Sequence, residues 1–270
     1  MKDIMTAPFM TEVRKICQIM YTKGWDERNG GNISYILNDR EVAEYIDITA
    51  VQRWLPLESP KAELAGKIFI VTGTGKYFKN VYDDPSTNLG IIIVADDGAS
   101  VGVLWGFEND GKPTSELSSH LLSHIVRLKA DPNHRVIMHT HATNLLAMTF
   151  VVELSDREFT RILWQMCTEC LVVFPDGIGV LPWMVCGSDD IGFATAEKMK
   201  DYRMVIWGQH GIFGAGRDID ETFGLIETAE KSAEIYLKIA GLPLLQSITD
   251  DELKKLAAAF GVTAKEGFLD

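Results

Sequence analysis

The chain has 270 residues, 46% of them hydrophobic, which is ample for one sizeable core. Lysine and arginine total 26 against 38 aspartates and glutamates, a formal charge of −12. So acidic a chain argues against nucleic-acid or anionic-membrane partners, which need clustered basic side chains, but it leaves room for a phosphorylated metabolite held by backbone N–H groups and hydroxyls.

In chain order, Val13, Ile16, Cys17 and Met20 carry helical spacing, and the helix they predict ends at Gly24. "WDERNGGNISYIL" is a Gly-Gly turn feeding a short alternating strand. Residues Arg40 to Gly66 are irregular and read as an insertion. "KIFIVTGTGKYF" is a strand breaking into a glycine-punctuated loop, and "LGIIIVADDGASVGVLWG" is two strands around an Asp-Asp-Gly turn. "PTSELSSHLLSHIVRLKA" predicts a helix started by Pro113, Thr114 and Ser115, with Glu116 in its first turn. "RVIMHTH" is a strand, "NLLAMTFVVEL" and "DREFTRILWQM" are helices, "IGVLPWM" is a strand, and "SDDIGFATAEKMKDY" is a helix capped by Ser188. "RMVIWGQHGIFGAG" reads as a hairpin, followed by a long amphipathic helix ending at Gly241 and a last short helix over Thr249–Phe260. Tight turns between neighbouring strands, with helices outside them, predict an α/β fold with a central, mostly antiparallel sheet flanked by helices. GxGxxG is absent, so a doubly wound dinucleotide fold is not expected.

No segment reaches the ~18–20 continuous apolar residues of a membrane span. The N-terminus MKDIMTAPFMTEVRK lacks the apolar core of a signal peptide. Four cysteines in a chain this long do not make a disulfide framework, so a reduced, cytoplasmic location is expected. Cys167-Thr168-Glu169-Cys170 has CxxC spacing, but no second CxxC completes a thiolate site and no βαβ unit surrounds it, so these thiols are assigned no role.

The histidines carry the chemistry. His139 and His141 sit two apart at the end of an apolar strand, so their side chains share a face about 6.5–7 Å apart and can reach one point. His210 ends another apolar strand, just before a glycine. If the two strands are neighbours, three neutral imidazoles meet with one position open, the usual arrangement of a catalytic zinc. His120 and His124, four apart on a helix, are a weaker candidate pair, and His134 reads as surface loop. Proton chemistry at such a metal needs an acid–base group, and Glu116 qualifies by its place after two hydroxyl residues, although a first-turn capping acid has the same appearance. "NGGN" (Asn29–Asn32) and "TGTG" (Thr72–Gly75) offer N–H groups beside amides and hydroxyls, which bind anions without charge.

Taken in order, "ERNGGNIS", "VTGTGK", "PTSEL", "MHTHAT" and "GQHGIF" resemble the zinc-dependent class II sugar-phosphate aldolase and epimerase family, and the likeness runs over essentially the whole chain. The resemblance implies a three-layer α/β/α fold and a single catalytic domain over residues 1–270. It implies that His139, His141 and His210 hold one zinc per subunit and that Glu116 is the catalytic carboxylate, able also to approach the metal. It implies that Asn29, Gly31, Asn32, Thr74, Gly75, Thr114 and Ser115 form the sugar-phosphate pocket. Glu169 would reach into a neighbouring subunit's site within a fourfold homotetramer. The implied reaction is retro-aldol cleavage of a ketose 1-phosphate to dihydroxyacetone phosphate and L-lactaldehyde, with a zinc-stabilised enediolate. Three alternatives stand beside it, an L-fuculose 1-phosphate aldolase, an L-ribulose 5-phosphate 4-epimerase and a metal-free scaffold of the same fold. Epimerases of the family carry aspartate at the Glu116 position, and the adducin head has the fold without the metal.

Overall fold

Pro8 opens helix α1 (Pro8–Thr22) at a position where its missing N–H loses nothing. Phe9, Met10, Val13, Ile16, Cys17 and Met20 recur at helical spacing along it and make one buried stripe. The structure is a computed structural model that describes residues 1–269. Strands β1 (Asn32–Ile36), β2 (Arg53–Pro56), β3 (Ile68–Thr72), β4 (Leu89–Val94), β5 (Ser100–Gly106), β6 (Val136–Thr140), β7 (Gly179–Leu181), β8 (Met204–Trp207) and β9 (Gly211–Gly216) follow in the chain. They form one sheet in the order β2-β5-β4-β3-β1-β6-β9-β8-β7. Neighbours are antiparallel throughout, except that β7 and β8 run parallel.

Three one-turn helices, α2 (Asp39–Val42), α3 (Phe78–Val81) and α4 (Pro85–Asn88), lie among the first strands. The longer elements are α5 (Leu117–Ala130), α6 (Thr143–Met148), α7 (Asp156–Met166), α8 (Thr168–Val173), α9 (Asp189–Lys198), α10 (Ile219–Ile239) and α11 (Asp250–Phe260). Alternation along the strands divides their side chains between two faces. Ile33, Tyr35, Ile70, Met138, Ile206 and Ile212 join the main core with residues of α1, α6, α7, α8 and α10. On the other face Phe69, Val71, Ile92 and Val103 pack on Leu117, Leu121 and Ile125 of α5, while Ile137, Val205 and Phe213 pack on Ile191 of α9. The expected helix–sheet–helix layering is present. No helix among the described residues is long and apolar enough to cross a membrane.

Five expectations need correction. Arg40–Gly66 is not merely an irregular insertion, because it contains β2, which extends the sheet by pairing with β5. The helix after Thr114 starts later, at Leu117. Thr114 is still tied to the sheet by its N–H to Thr72 O at 2.9 Å, so Glu116 stands ahead of the first turn and its side chain caps nothing. The helix after His141 stops at Met148, where the Thr149 hydroxyl takes the Leu146 carbonyl at 2.7 Å. The "IGVLPWM" strand ends at Leu181, because Pro182 has no N–H for the ladder. His134 is buried, not on the surface, with Nδ1 accepting from Arg127 Nε at 3.1 Å and Nη2 at 3.0 Å.

Leu163 on α7 is fully buried in the main core, and its carbonyl accepts the Ser232 hydroxyl of α10 at 2.7 Å. Leu163→Ala removes the side chain but leaves that hydrogen bond, and is expected to lower stability by about 2–5 kcal/mol in a urea titration.

Candidate metal centre

Strand pairing assembles the site. Asn32 of β1 stands opposite His139 of β6, and His139 stands opposite Phe213 of β9. His141 follows the end of β6, its N–H donating to Trp25 O at 3.0 Å. His210 occupies the turn between β8 and β9. That turn is held by Gln209, whose φ of 56° lies in the left-handed region. Gln209 is secured by its N–H to Thr149 Oγ1 at 3.0 Å and its side-chain amide to Thr149 O at 2.8 Å.

The three rings form a triangle with centroid separations of 5.3, 5.0 and 5.1 Å. One ligand atom from each lies within 4.8 Å of the others. His139 Nδ1 donates to Ile212 O at 3.1 Å, which leaves Nε2 as a bare lone pair, buried and without a protein partner. His141 Nδ1 donates to both oxygens of Glu27 at 3.0 Å, which frees its other nitrogen. Burial pushes His139 well below the ordinary imidazole range and His210 down to about 4, so both rings are neutral near pH 7. The donor set therefore fits a divalent cation, with an orphaned nitrogen, a carboxylate-oriented ring and an aromatic wall where His139 stacks on Phe213 at 4.6 Å.

Glu116 faces this triangle, with its oxygens 3.7 Å from His139 Nε2 and 4.0 Å from His210 Nε2. Burial raises its carboxyl, and the Asn32 amide, donating at 2.8 Å, pulls it back down. Asn29, Gly31, Asn32, Thr74, Gly75, Thr114 and Ser115 line the same cavity, of about 280 Å³, as the three histidines and Glu116. A bridge between Gly73 and Pro113 stitches the "TGTG" loop to "PTSEL", with Thr74 N–H on Lys112 O at 2.9 Å. Gly31 has φ +74°, and a Cβ there would fall 1.8 Å from the Asp26 carboxylate, so this turn requires glycine.

Glu169 is not part of this cavity. It is exposed on α8, and its carboxylate accepts the Cys167 thiol at 2.9 Å, so that thiol does have a neighbour to hold. His120 and His124 do share a helix face, but they meet Ser34 rather than the three-histidine centre. Sequence reasoning missed Glu27, a charge in a loop with no local signature, and Cys186, which lies within 4.8 Å of Glu116 and His210 donor atoms. It also missed Gln209, although a residue between a strand end and His-Gly is where a turn needing positive φ belongs.

The fold places three histidines and one carboxylate in a cavity whose donors could hold a metal ion, and residues 11–237 match the family model of the class II aldolase and adducin N-terminal domain. The chain belongs to that family. Its relatives include rhamnulose-1-phosphate aldolase of Listeria monocytogenes serotype 4b, 57% identical over 270 residues, spanning 100% of this chain and 99% of the relative. Rhamnulose-1-phosphate aldolase of Shigella boydii is 50% identical over 97% of each chain. Among solved structures, a sugar-phosphate aldolase from Thermotoga maritima superposes with TM-score 0.76 at 29% identity, covering 88% of this chain and 97% of its own. An L-fuculose 1-phosphate aldolase shares the fold at TM-score 0.63 and 18% identity.

His139→Ala and His210→Ala are each expected to lose divalent metal by elemental analysis, while Cys167→Ala retains it. Glu27→Ala is expected to weaken metal affinity roughly 10–100-fold, measured by competition with a chromogenic chelator, because the carboxylate orients His141.

Proposed function

We propose that this chain is an aldehyde-lyase that reversibly cleaves L-rhamnulose 1-phosphate to dihydroxyacetone phosphate and L-lactaldehyde, with zinc at His139, His141 and His210. The observation that carries the reading is the pairing of Glu116 with the three-histidine triangle inside one cavity, in a chain 57% identical end to end to a rhamnulose-1-phosphate aldolase. When bound, the cation supplies Lewis-acid stabilisation for the negative charge left on the ketone half when C3–C4 breaks. No lysine is then needed as a Schiff-base nucleophile, and none lines the cavity.

The residues around it divide the remaining tasks. The backbone around Gly31 and Gly75, with Asn29, Asn32, Thr74, Thr114 and Ser115, binds the phosphate and the diol. These groups are neutral, which suits one anion held in an acidic protein. Glu116 moves the proton at C3, as general acid in cleavage and general base in synthesis. Its burial keeps the carboxyl above its usual range and so better matched to that exchange. Glu169 of a neighbouring copy holds the C4 hydroxyl proton, since in its own chain it lies outside the cavity. A homotetramer is the assembly that brings it there. Exposed Phe150, Val151 and Trp183 are available for such an interface.

Glutamate at position 116 favours the aldolase over the 4-epimerase branch, and the retained histidines disfavour a metal-free scaffold. Glu116→Gln is expected to keep metal and fold while turnover falls ~10²–10⁴-fold. A coupled assay for free dihydroxyacetone phosphate, run over a panel of ketose 1-phosphates with and without chelator, checks the reaction. No release from any of them, with metal bound, refutes it. Release from L-fuculose 1-phosphate in preference to L-rhamnulose 1-phosphate overturns the substrate.

A further inference from the structure

Asn32 and Ser34 lie two apart on β1 and share a face, while His120 and His124 lie one turn apart on α5. Two residues of strand advance about 6.6 Å and four residues of helix about 6 Å, so the two pairs interleave. They make an unbroken buried line. Asn32 Nδ2 donates to Glu116 Oε2 at 2.8 Å, and Asn32 Oδ1 meets His120 Nε2. His120 Nδ1 lies 2.7 Å from Ser34 Oγ, which lies 2.8 Å from His124 Nε2. Ser34, His120 and His124 are each 0% exposed.

Proton order follows from the carboxylate end. Glu116 accepts, so the amide nitrogen of Asn32 faces it and the amide oxygen faces His120, which must donate from Nε2. Burial drives His120 down to about 3, so the ring carries a single proton and its Nδ1 is bare. That nitrogen accepts a hydrogen bond from the Ser34 hydroxyl, and the Ser34 oxygen in turn accepts from His124 Nε2. The far end agrees independently, because His124 Nδ1 is buried and has no partner. In the reversed order this nitrogen would carry an unanswered buried N–H, and the Asn32 oxygen would face a carboxylate oxygen. Both are costly.

We propose that His120, Ser34 and His124 are positioning residues whose proton-ordered chain holds the Asn32 carboxamide in the one orientation that presents its N–H to Glu116. Asn32 cannot rotate its amide without stranding His120, and Glu116 keeps a fixed donor on one oxygen while the other faces His210. The kinetic consequence rests on Glu116 being the proton carrier proposed above, but the proton order itself does not.

Neutron crystallography of the metal-loaded protein in deuterated solvent reads the order directly. Deuterons are expected on Nε2 of His120 and His124, with both Nδ1 atoms bare. A deuteron on His120 Nδ1 overturns the proposal, whether or not the chain cleaves any sugar phosphate. Ser34→Ala is expected to lower kcat about 10-fold, with KM and metal content held within about two-fold, and Ser34→Thr, which keeps the hydroxyl, to recover most of it. A kcat for Ser34→Ala within about two-fold of wild type, or a loss that tracks metal content or folded fraction, overturns the positioning role. Wild-type protein without turnover on every ketose 1-phosphate defeats the aldolase reading alone, since the neutron map still decides the order.

Discussion

The register between β6 and its two neighbours is the constraint on which the site depends. His139 faces the cavity because it is paired with Asn32 on one side and Phe213 on the other. Side chains alternate with a period of two, so a slip of one residue would send His139 to the opposite face and bring Met138 or Thr140 in its place. The same slip would part Asn32 from His139. Buried apolar residues on both faces of β6 fix this register more firmly than the polar residues of the site could, since Val136, Ile137 and Met138 are all fully buried. The chemistry is thus held in place by hydrophobic packing that touches no substrate.

Around this register, hydrogen bonds do the finer orientation. Ile212 O and Glu27 each bind the distal nitrogen of one imidazole and leave the proximal nitrogen free. Glu116 is poised between burial, which favours its neutral form, and the Asn32 amide, which favours its charge. The Ile212 carbonyl and the Asn32 amide are buried groups that had to be satisfied on folding, so there orientation of the site and satisfaction of buried polar atoms are one requirement, whereas the exposed Glu27 carboxylate is an added orienting contact.

Much of this was legible in the chain. An imidazole pair at i and i+2 on an apolar run has one geometric meaning in a strand, and His139 and His141 did fall on one cavity. The glycines of "NGGN" and "TGTG" marked turns correctly for the same local reason. Non-local facts were not legible. Glu116 has the sequence neighbourhood of a first-turn acid, and only the pairing of Thr114 with Thr72, forty-odd positions earlier, delays the helix past it. His134 beside Asn133 looks like loop, and its burial depends on Arg127 of the preceding helix. β2 alternates weakly, with half its residues exposed, as an edge strand does, so its place in the sheet was hidden inside an apparent insertion.

An open nine-stranded sheet has two free borders, and each invites a stray extended peptide to add itself. One border here is β2, four residues ending at Pro56, and the other is β7, three residues followed by Pro182. A template so brief, closed by a residue with no N–H to offer, gives an incoming strand little to zip onto. The molecule thereby limits edge-to-edge aggregation at both borders with two prolines.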